Sequence, residues 1–200
     1  ERVSKTKVKQ TSVSSYKEEN VVKFINSSIN FFNKDLSELK IMEFGCGVGR
    51  VLKHISHMSN SCYGVDISPN MIEYAKEYVD NEKVQFALCT QSHIPLEDNL
   101  FDIIYSYHVL QHIPTKKNLI ASLSEIFRVQ KSNGYSVLHF NKKISEVDKK
   151  PGSFMWYRPN VENAIKICED VGFFLIHKHV KPDGHFYLYL GKKWNEWYNI

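Results

Sequence analysis

The chain has 200 residues, 42% of them hydrophobic and 24% charged, and this length and balance predict one globular domain. Its 26 basic and 22 acidic residues leave a net charge of +4 without a long basic stripe, which argues against nucleic acid as a partner. No apolar run approaches the ~18 residues that span a membrane, and the four cysteines form no CxxC pair, so we expect a cytoplasmic protein with reduced thiols.

The N-terminal part divides into a tail and a helix. Residues 1–15 are polar and rich in Lys, Ser and Thr, which predicts a flexible tail ahead of a single domain at 16–200. A helix is predicted at 16–33, because apolar residues recur there at helical spacing: Val21, Phe24, Ile25, Ile29 and Phe32.

Strand and helix patterns alternate after this helix. Strands are predicted at 39–44, 61–68, 83–89, 100–110, 133–141, 173–180 and 185–193, and helices at 48–58, 70–81, 116–130 and 161–171. Such alternation predicts a mainly parallel sheet with helices on both faces. The turn sequence Lys181–Gly184 joins the last two strands, so the last strand is antiparallel. The expected fold is therefore α/β, a Rossmann-like doubly wound sheet of seven strands in three layers.

The first predicted strand leads directly into three glycines, Gly45, Gly47 and Gly49. Glycine allows positive φ and has no Cβ to obstruct a ligand, and the helix that follows presents free N–H groups. Strand, glycine turn and helix together are typical of a nucleotide site. The alternative is a tight turn that binds nothing.

Acidic residues accompany the first two strands. Glu43 lies two positions before Gly45, and Asp66 lies near the end of the second predicted strand. A carboxylate there can accept hydrogen bonds from both hydroxyls of a ribose. The spacing G-x-G-x-G differs from the G-x-G-x-x-G of dinucleotide-binding folds and argues against a dehydrogenase. The alternative for Asp66 is a cap on the helix that begins at Ser68–Asn70.

A third pattern is TQSHIPLEDNLFDIIYSYHVLQHIP at 90–114. Together with the acidic-x-G-x-G-x-G of the first strand, it resembles the class I S-adenosylmethionine-dependent methyltransferases that act on small molecules. The matching positions are Ile94-Pro95, Asp98, Phe101-Asp102, Val109-Leu110 and His112. In one departure, Thr90 stands where the family usually has an acidic residue that reaches the adenine amino group. The resemblance implies the strand order 3-2-1-4-5-7-6.

The resemblance also implies S-adenosylmethionine as cofactor. The glycine loop would wrap its methionine part, Glu43 would brace that loop near the amino group, and Asp66 would hold the ribose. Ser106 and Tyr107 would approach the methionine moiety. The cofactor-binding residues expected in this way are Glu43, Phe44, Gly45, Cys46, Gly47, Gly49, Asp66, Ile67, Ser68, Met71, Thr90, Gln91, Ser92, Ser106 and Tyr107.

Candidate catalytic residues follow the fourth strand: Tyr107, His108 and His112. Ligands bind beyond the carboxyl ends of parallel strands, so these residues are expected near the transferring methyl group. A histidine with a near-neutral pKa suits a general base, and His108 is the preferred candidate. The alternative for both histidines is a structural role.

An irregular insert at 142–159 follows the fifth strand and is predicted to be a lid over the acceptor pocket. It ends in Trp156, Tyr157 and Arg158, which would give an aromatic wall and a bidentate clamp for an anion. The alternative is a loop that only packs on the core.

Two groups of histidines raise the question of a metal. His54 and His57 lie near Cys62, and His177, His179 and His185 lie around the last turn. Neither group offers three or four converging ligands, so no metal is expected.

The sequence therefore favours methyl transfer by in-line displacement to a small hydroxyl or amine acceptor, anionic or sugar-like. Positioning of the two reactants would supply most of the catalysis. One alternative is a nucleic-acid or protein methyltransferase, but Ser106–Val109 replaces the N-P-P-Y tetrapeptide typical of base amino-group methylation. The other is a non-catalytic module that binds S-adenosylmethionine.

Overall fold

The computed structural model describes residues 18–59, 61–142 and 156–192, so the predicted tail 1–15 and most of the predicted lid lie outside the described residues. The described strands are β1 Lys40–Phe44, β2 Ser61–Asp66, β3 Val84–Leu88, β4 Phe101–Ser106, β5 Gln130–Asn141, β6 Phe173–Val180 and β7 His185–Lys192. The α-helices are α1 Glu18–Phe32, α2 Arg50–Ile55, α3 Pro69–Val79, α4 Lys116–Val129 and α5 Val161–Val171, and one 3₁₀ turn covers Leu110–His112.

The seven strands form one sheet in the order β3-β2-β1-β4-β5-β7-β6. The pairs from β3 through β5 are parallel, whereas β7 runs antiparallel to both of its neighbours. One apolar cluster packs α4 and α5 on one face, and a second packs α1, α2 and α3 on the other. The predicted three-layer fold and strand order are thus confirmed.

Local sequence explains where the helices begin and end. Ser68 caps α3 by accepting a hydrogen bond from Met71 N–H, and Pro69 fits the first helical position, where no N–H partner is needed. Thr115 caps α4 in the same way, and Gly172 ends α5 with a φ of 120°. All four cysteines are buried and unpaired. None of the described helices has the length and apolar composition that crossing a bilayer requires.

The segment 100–110, predicted as a strand that runs into a turn, is a strand only as far as Ser106. Strand β4 ends at Ser106, and His108 then takes a φ of 60°. That left-handed conformation breaks an extended backbone, because strand residues need negative φ. The chain therefore turns away at the carboxyl edge of the sheet, where the N–H of His108 donates to Nδ1 of His139 on the neighbouring strand β5.

Arg128 on α4 fastens the loop between β3 and β4. Its guanidinium forms a two-point pair with Glu125, at 2.9 Å and 2.8 Å, and donates to the carbonyls of Ile94 (2.7 Å) and Leu96 (2.9 Å). Glu125 also accepts the N–H of Ile94 at 2.7 Å. This network fixes a segment without regular secondary structure, and the start of that segment borders the site described next.

Candidate active site

A cleft of about 400 Å³ opens beyond the carboxyl ends of β1, β2 and β4. Strand order reverses between β1 and β4, and the crevice at such a switch point is where open α/β sheets bind ligands. The predicted residues that line the cleft are Glu43, Phe44, Gly45, Cys46, Gly47, Asp66, Ile67, Thr90, Gln91, Tyr107, His108 and His112.

The three glycines of the loop have positive φ, but their surroundings differ. A Cβ on Gly47 would meet no protein atom within 4 Å, whereas a Cβ on Gly49 would lie 2.5 Å from a methyl of Val79. A Cβ on Gly45 would collide with Val109. Gly47 therefore leaves open space at the cleft, while Gly45 and Gly49 permit close packing between elements.

Glu43 is a buried carboxyl at the end of β1, with only 3% of its surface exposed. It accepts a hydrogen bond from Leu52 N–H in the first turn of α2, a helix that has no side-chain cap of its own. Its Oε2 has no hydrogen-bond partner among the described residues. Burial raises its pKa well above the usual range, and nearby Arg50 only partly opposes this shift. The cleft thus contains a carboxyl oxygen suited to a cationic ligand group.

Asp66 holds the glycine loop against β2. Its Oδ2 accepts the N–H of Gly47 at 2.8 Å, and its Oδ1 accepts the N–H of Ser68 at 2.9 Å. The predicted cap on the next helix is formed by Ser68 instead. Because each carboxylate oxygen has two lone pairs, Asp66 retains acceptor capacity toward the cleft that it lines.

The side of the cleft beyond Asp66 presents one exposed apolar side chain, and hydrogen bonds attach the loop after β3 to α4. Ile67 keeps 57% of its surface exposed, which is unusual for a large aliphatic side chain beside a cleft. The Gln91 side chain hydrogen-bonds Asn118 of α4, and the Gln91 carbonyl accepts from Ser122 Oγ at 3.0 Å. These contacts tie Gln91 to α4. Ile67 and Thr90 are the two predicted residues lining this side of the cleft that are exposed.

The opposite side carries aromatic rings and histidines. Tyr107 stacks on Phe24 of α1 at a centroid distance of 4.6 Å. The Gln111 amide lies 3.3 Å from His108 Nδ1 and 3.1 Å from His112 Nε2, and so links the two rings. Trp156 meets His112 edge-on at 6.0 Å, which brings the described end of the predicted lid, beginning at Trp156, to this side.

The pKa of His108 differs from the near-neutral value expected of a general base. Burial, together with the neighbouring groups His185, Arg50, His112 and Lys181, lowers the pKa of His108 to about 3. The ring is therefore neutral at physiological pH, but it is a weak base. This environment argues against proton abstraction by His108.

Several predicted residues do not line the cleft. Ser106 is fully buried. Ser68 caps α3, and Gly49 allows α2 and α3 to pack closely. The others are Met71, Ser92, Trp156, Tyr157 and Arg158. The prediction also missed residues that do line it: Val21, Arg50, Val51, Cys89, Val109, Ile113 and Ser122. Arg50 could have been found, since it directly follows the last glycine at the start of a helix.

Three histidines of the described residues lie close together, and only one of them, His185, belongs to a group formed from the sequence. Ring nitrogens of His108, His139 and His185 lie within 4.8 Å of one another. His177 and His179 are exposed on β6 and take no part in this cluster. His139 had no place in the sequence-based site.

Comparison with known proteins supports the family suggested by these residues. A model of the methyltransferase domain matches residues 42–138, which contain the glycine loop, Glu43 and Asp66. A methyltransferase domain therefore occupies residues 42–138, and it has the sheet order expected of the class I S-adenosylmethionine-dependent methyltransferases.

Individual methyltransferases resemble the chain to different extents. The sterol 4-C-methyltransferase of Caenorhabditis elegans is 31% identical over 120 residues, which are 58% of this chain and 35% of that protein. The ubiquinone biosynthesis O-methyltransferase of Rickettsia typhi is 23% identical over 87% of this chain and 81% of its own length. The chain thus spans only about a third of the sterol enzyme.

A solved methyltransferase structure shares the fold. The magnesium protoporphyrin IX methyltransferase of Synechocystis, determined with bound S-adenosylhomocysteine, superposes with a TM-score of 0.71. Its sequence is 19% identical, and the match covers 88% of this chain and 83% of that one.

The family's cofactor fits the residues present here. S-adenosylmethionine carries a cationic ammonium and a cationic sulfonium, and the cleft contains Glu43 with one unpartnered oxygen. Gly47 lines the cleft, and a Cβ added there would stand in open space. Asp66 and the exposed Ile67 offer an acceptor and an apolar surface one strand further on. These residues would hold the cofactor.

Proposed function

We propose that this chain transfers the methyl group of S-adenosylmethionine to a small-molecule acceptor. The observation that carries the proposal is the open glycine cradle at Gly47 beside the buried Glu43 carboxyl, whose Oε2 lacks a hydrogen-bond partner. An unsatisfied buried polar atom is costly, so its place in a cleft suggests that a ligand completes it. The alternatives of a dehydrogenase or an empty turn do not account for this pairing.

Each part of the cleft would have one task. Glu43 would bind the ammonium group, and the N–H groups at the start of α2 would border the carboxylate end. Asp66 would accept from the ribose hydroxyls while it keeps Gly47 N–H in place. Ile67 would cover one face of the adenine, and Thr90 and Gln91 would border its edge.

When bound, the cofactor would supply a methyl group on a sulfonium, which an acceptor atom would attack in line, so that the S–CH3 bond breaks and neutral S-adenosylhomocysteine leaves. The protein's contribution is then to hold the acceptor in reach and exclude water. Tyr107, His108 and His112 lie on the side of the cleft opposite Ile67, where such an acceptor would be placed. His108, with its lowered pKa, would contact the acceptor through a hydrogen bond and would not remove its proton.

We further propose an anionic acceptor. Arg50 lines the cleft, and the positive charges of Arg50 and Lys181 both act on His108. Positive surroundings favour an acceptor oxygen that is already ionised, such as a carboxylate or an acidic phenol, and such an oxygen needs no general base. Trp156, Tyr157 and Arg158 would form the outer wall of this site.

The names of the relatives agree with a small acceptor that has a large apolar part. The related proteins are named for a sterol, for ubiquinone biosynthesis and for a magnesium porphyrin, all small molecules with large apolar parts. The aromatic stack of Tyr107 on Phe24 would suit the apolar part of such an acceptor.

Calorimetry and a transfer assay test the proposal together. We expect S-adenosylhomocysteine to bind the wild type and to bind Asp66→Ala about tenfold or more weakly, because acceptor capacity toward the ribose and the anchor of Gly47 are both lost. Methyl-labelled cofactor should then label fractions of a small-molecule extract, acidic fractions most.

Each step of this test has a result that contradicts the proposal. Equal affinity of wild type and Asp66→Ala would remove Asp66 from the cofactor site. Binding without transfer to any fraction would favour the non-catalytic module. Label confined to neutral fractions would refute the anionic acceptor and leave methyl transfer in place.

A further inference from the structure

The cluster of His108, His139 and His185 joins three elements at the carboxyl edge of the sheet. His139 on β5 is fully buried, and His185 on β7 lies 2.8 Å from it, measured from Nδ1 of His185 to Nε2 of His139. The two rings stack with an interplanar angle of 11°. Three imidazoles so close together suggest a metal site at first sight.

The direction of the hydrogen bonds argues against a metal. The backbone N–H of His108 donates to Nδ1 of His139 at 3.0 Å, so Nδ1 carries no proton. A neutral imidazole then has its proton on Nε2, where it is donated to His185 Nδ1. Both nitrogens of His139 are therefore engaged, and neither presents a free lone pair to a cation. Burial, together with the neighbouring groups His108, His185, Lys181 and His112, lowers the pKa of His139 to about 2, so this neutral form persists.

We propose instead that His139 is the positioning residue of the acceptor site, which holds the His108 peptide in its left-handed turn and so aims the His108 ring into the cleft. The inference rests on the proposed function, because it assigns a purpose to the placement of His108. His185 supports His139 in turn. Its Nδ1 accepts a hydrogen bond from the Nε2–H of His139 and so keeps that ring in the required tautomer.

The sheet register explains how His139 reaches this peptide. Strands β4 and β5 pair in parallel up to Ser106 and Leu138, and β5 then continues to Asn141. His139 is the next residue of β5, so its side chain takes the place of the backbone carbonyl that would have continued the ladder. A β-ladder would keep residue 108 extended, whereas a side-chain acceptor allows the chain to turn.

The turn itself needs such support. A non-glycine residue with a φ of 60° is strained and persists only where its surroundings hold it. The His139 acceptor is one part of that support, and the contact between Gln111 and the His108 ring is another. Without them the peptide could relax toward the extended form that a strand would take.

The same register places His185 correctly. In the antiparallel pair of β5 and β7, Asn141 lies opposite His185 and His139 lies opposite Tyr187. His139 and His185 are thus diagonal neighbours on one face of the sheet, and Asn141 Nδ2 lies 3.4 Å from His185 Nε2. The closing hairpin therefore takes part in the acceptor site although none of its residues lines the cleft.

Three variants separate positioning from mere packing. His139→Phe keeps an aromatic ring but removes both the acceptor and the donor, whereas His139→Gln keeps an acceptor and a donor on a smaller frame. His177→Phe is the matched control, because it makes the same change at an exposed histidine on β6 of the same sheet. Folding of each variant is checked by circular dichroism before use.

Amide hydrogen exchange and imidazole ¹⁵N spectra give a test that needs no acceptor. We expect the His108 amide to lose about tenfold or more of its protection in His139→Phe, and to recover it in His139→Gln. The His139 spectrum of the wild type should show a proton on Nε2 and none on Nδ1. Unchanged protection in His139→Phe, or added Zn²⁺ that binds stoichiometrically and removes the Nε2 proton, would overturn the proposal.

The rates of methyl transfer by the variants are then compared, with the acidic extract fractions that the wild type labels as acceptors. Transfer should fall at least tenfold in His139→Phe while its affinity for S-adenosylhomocysteine stays within about twofold of wild type, and His139→Gln should restore most of the rate. Equal transfer in His139→Phe and wild type would refute a positioning role. If no variant or wild type binds the cofactor, the proposed function fails, whereas the amide-exchange result still decides whether His139 holds the turn.

Discussion

At the scale of single residues, two glycines of one loop should respond differently to the same change. Gly47→Ala and Gly49→Ala both place a methyl group at positive φ, 52° and 81°, so each loses about 1–2 kcal/mol to backbone strain. Only Gly49→Ala also drives its methyl to 2.5 Å from Val79, which should cost a further ~1–3 kcal/mol in packing. Only Gly47→Ala projects into open space at the cleft.

Calorimetry and urea denaturation on the two variants measure both effects. We expect Gly47→Ala to weaken S-adenosylhomocysteine binding at least tenfold with the smaller loss of stability, and Gly49→Ala to show the larger loss of stability. The reverse ranking of the two stabilities would mean that the loop packs differently from the structure. Normal cofactor affinity in Gly47→Ala would mean that the ligand does not approach this glycine.

The residues proposed to hold the cofactor could be identified from the sequence because they are close together along the chain. Glu43, Gly45 and Gly47 lie at the junction of β1 and the glycine loop, and Asp66 ends strand β2. His139 could not be recognised in this way, since it contacts a peptide 31 positions away. Nor could the pKa of His108, because that shift depends on burial and on charges from distant parts of the chain.

At the scale of elements, the loop between β3 and β4 depends on one arginine. Arg128→Lys retains the charge but loses the planar fork that pairs with Glu125 and reaches two loop carbonyls. We expect the free energy of unfolding to fall by about 1–3 kcal/mol and amides of the loop to exchange faster.

Lys166→Ala serves as the comparison for Arg128→Lys. Lys166 forms an exposed pair with Asp170 on α5, with 74% and 63% of the two side chains accessible, and such pairs contribute at most about 0.5 kcal/mol. Denaturation curves for both variants give the contrast directly. A loss in Arg128→Lys no larger than in Lys166→Ala would show that the loop is held by other contacts.

Most elements were predicted to within a few residues, and the failures have local causes. Strand β4 ends at Ser106 because the chain turns at His108, although its apolar pattern continues to residue 110. Strand β5 begins at Gln130, directly after α4, where the sequence pattern indicated a strand only from 133. Patterns of hydrophobicity report burial, and burial continues through both of these junctions.

At the scale of the whole molecule, the buried histidines make stability depend on pH. The pKa values of His139 and His108 are lowered to about 2 and about 3, while the unfolded chain should titrate near ~6.5. Below ~6.5 the unfolded state therefore binds more protons than the folded state, and stability falls as the pH falls. Each histidine contributes a slope of up to about 1.4 kcal/mol per pH unit.

Glu43 acts in the opposite direction, since its raised pKa makes the folded state lose stability as the pH rises above about 4.5. Comparing wild type with His139→Gln isolates the histidine. Urea denaturation at pH 7.5 and at pH 5.0 brackets the ordinary histidine pKa of ~6.5. Between these two values the free energy of unfolding should fall less for the variant, by up to the slope of one proton. Parallel curves for the two proteins would contradict a neutral, buried His139.

The fold as a whole was predictable because the order of strands and helices restricts the topology. Alternating elements require parallel strands with right-handed crossovers, and a closing hairpin can add only antiparallel strands at an edge. The predicted order β3-β2-β1-β4-β5-β7-β6 followed from the family resemblance and is confirmed. The predicted tail at 1–15 and the greater part of the lid at 142–159 remain predictions.

The segment matched by the methyltransferase model ends at Leu138, one residue before His139. The residues proposed to hold the cofactor all precede that point, whereas His139, Trp156 and His185 come after it. A chimera joined at Leu138 would therefore keep the proposed cofactor residues together with Tyr107, His108 and His112, and would exchange only the residues from His139 onward that hold His108 or border the acceptor side.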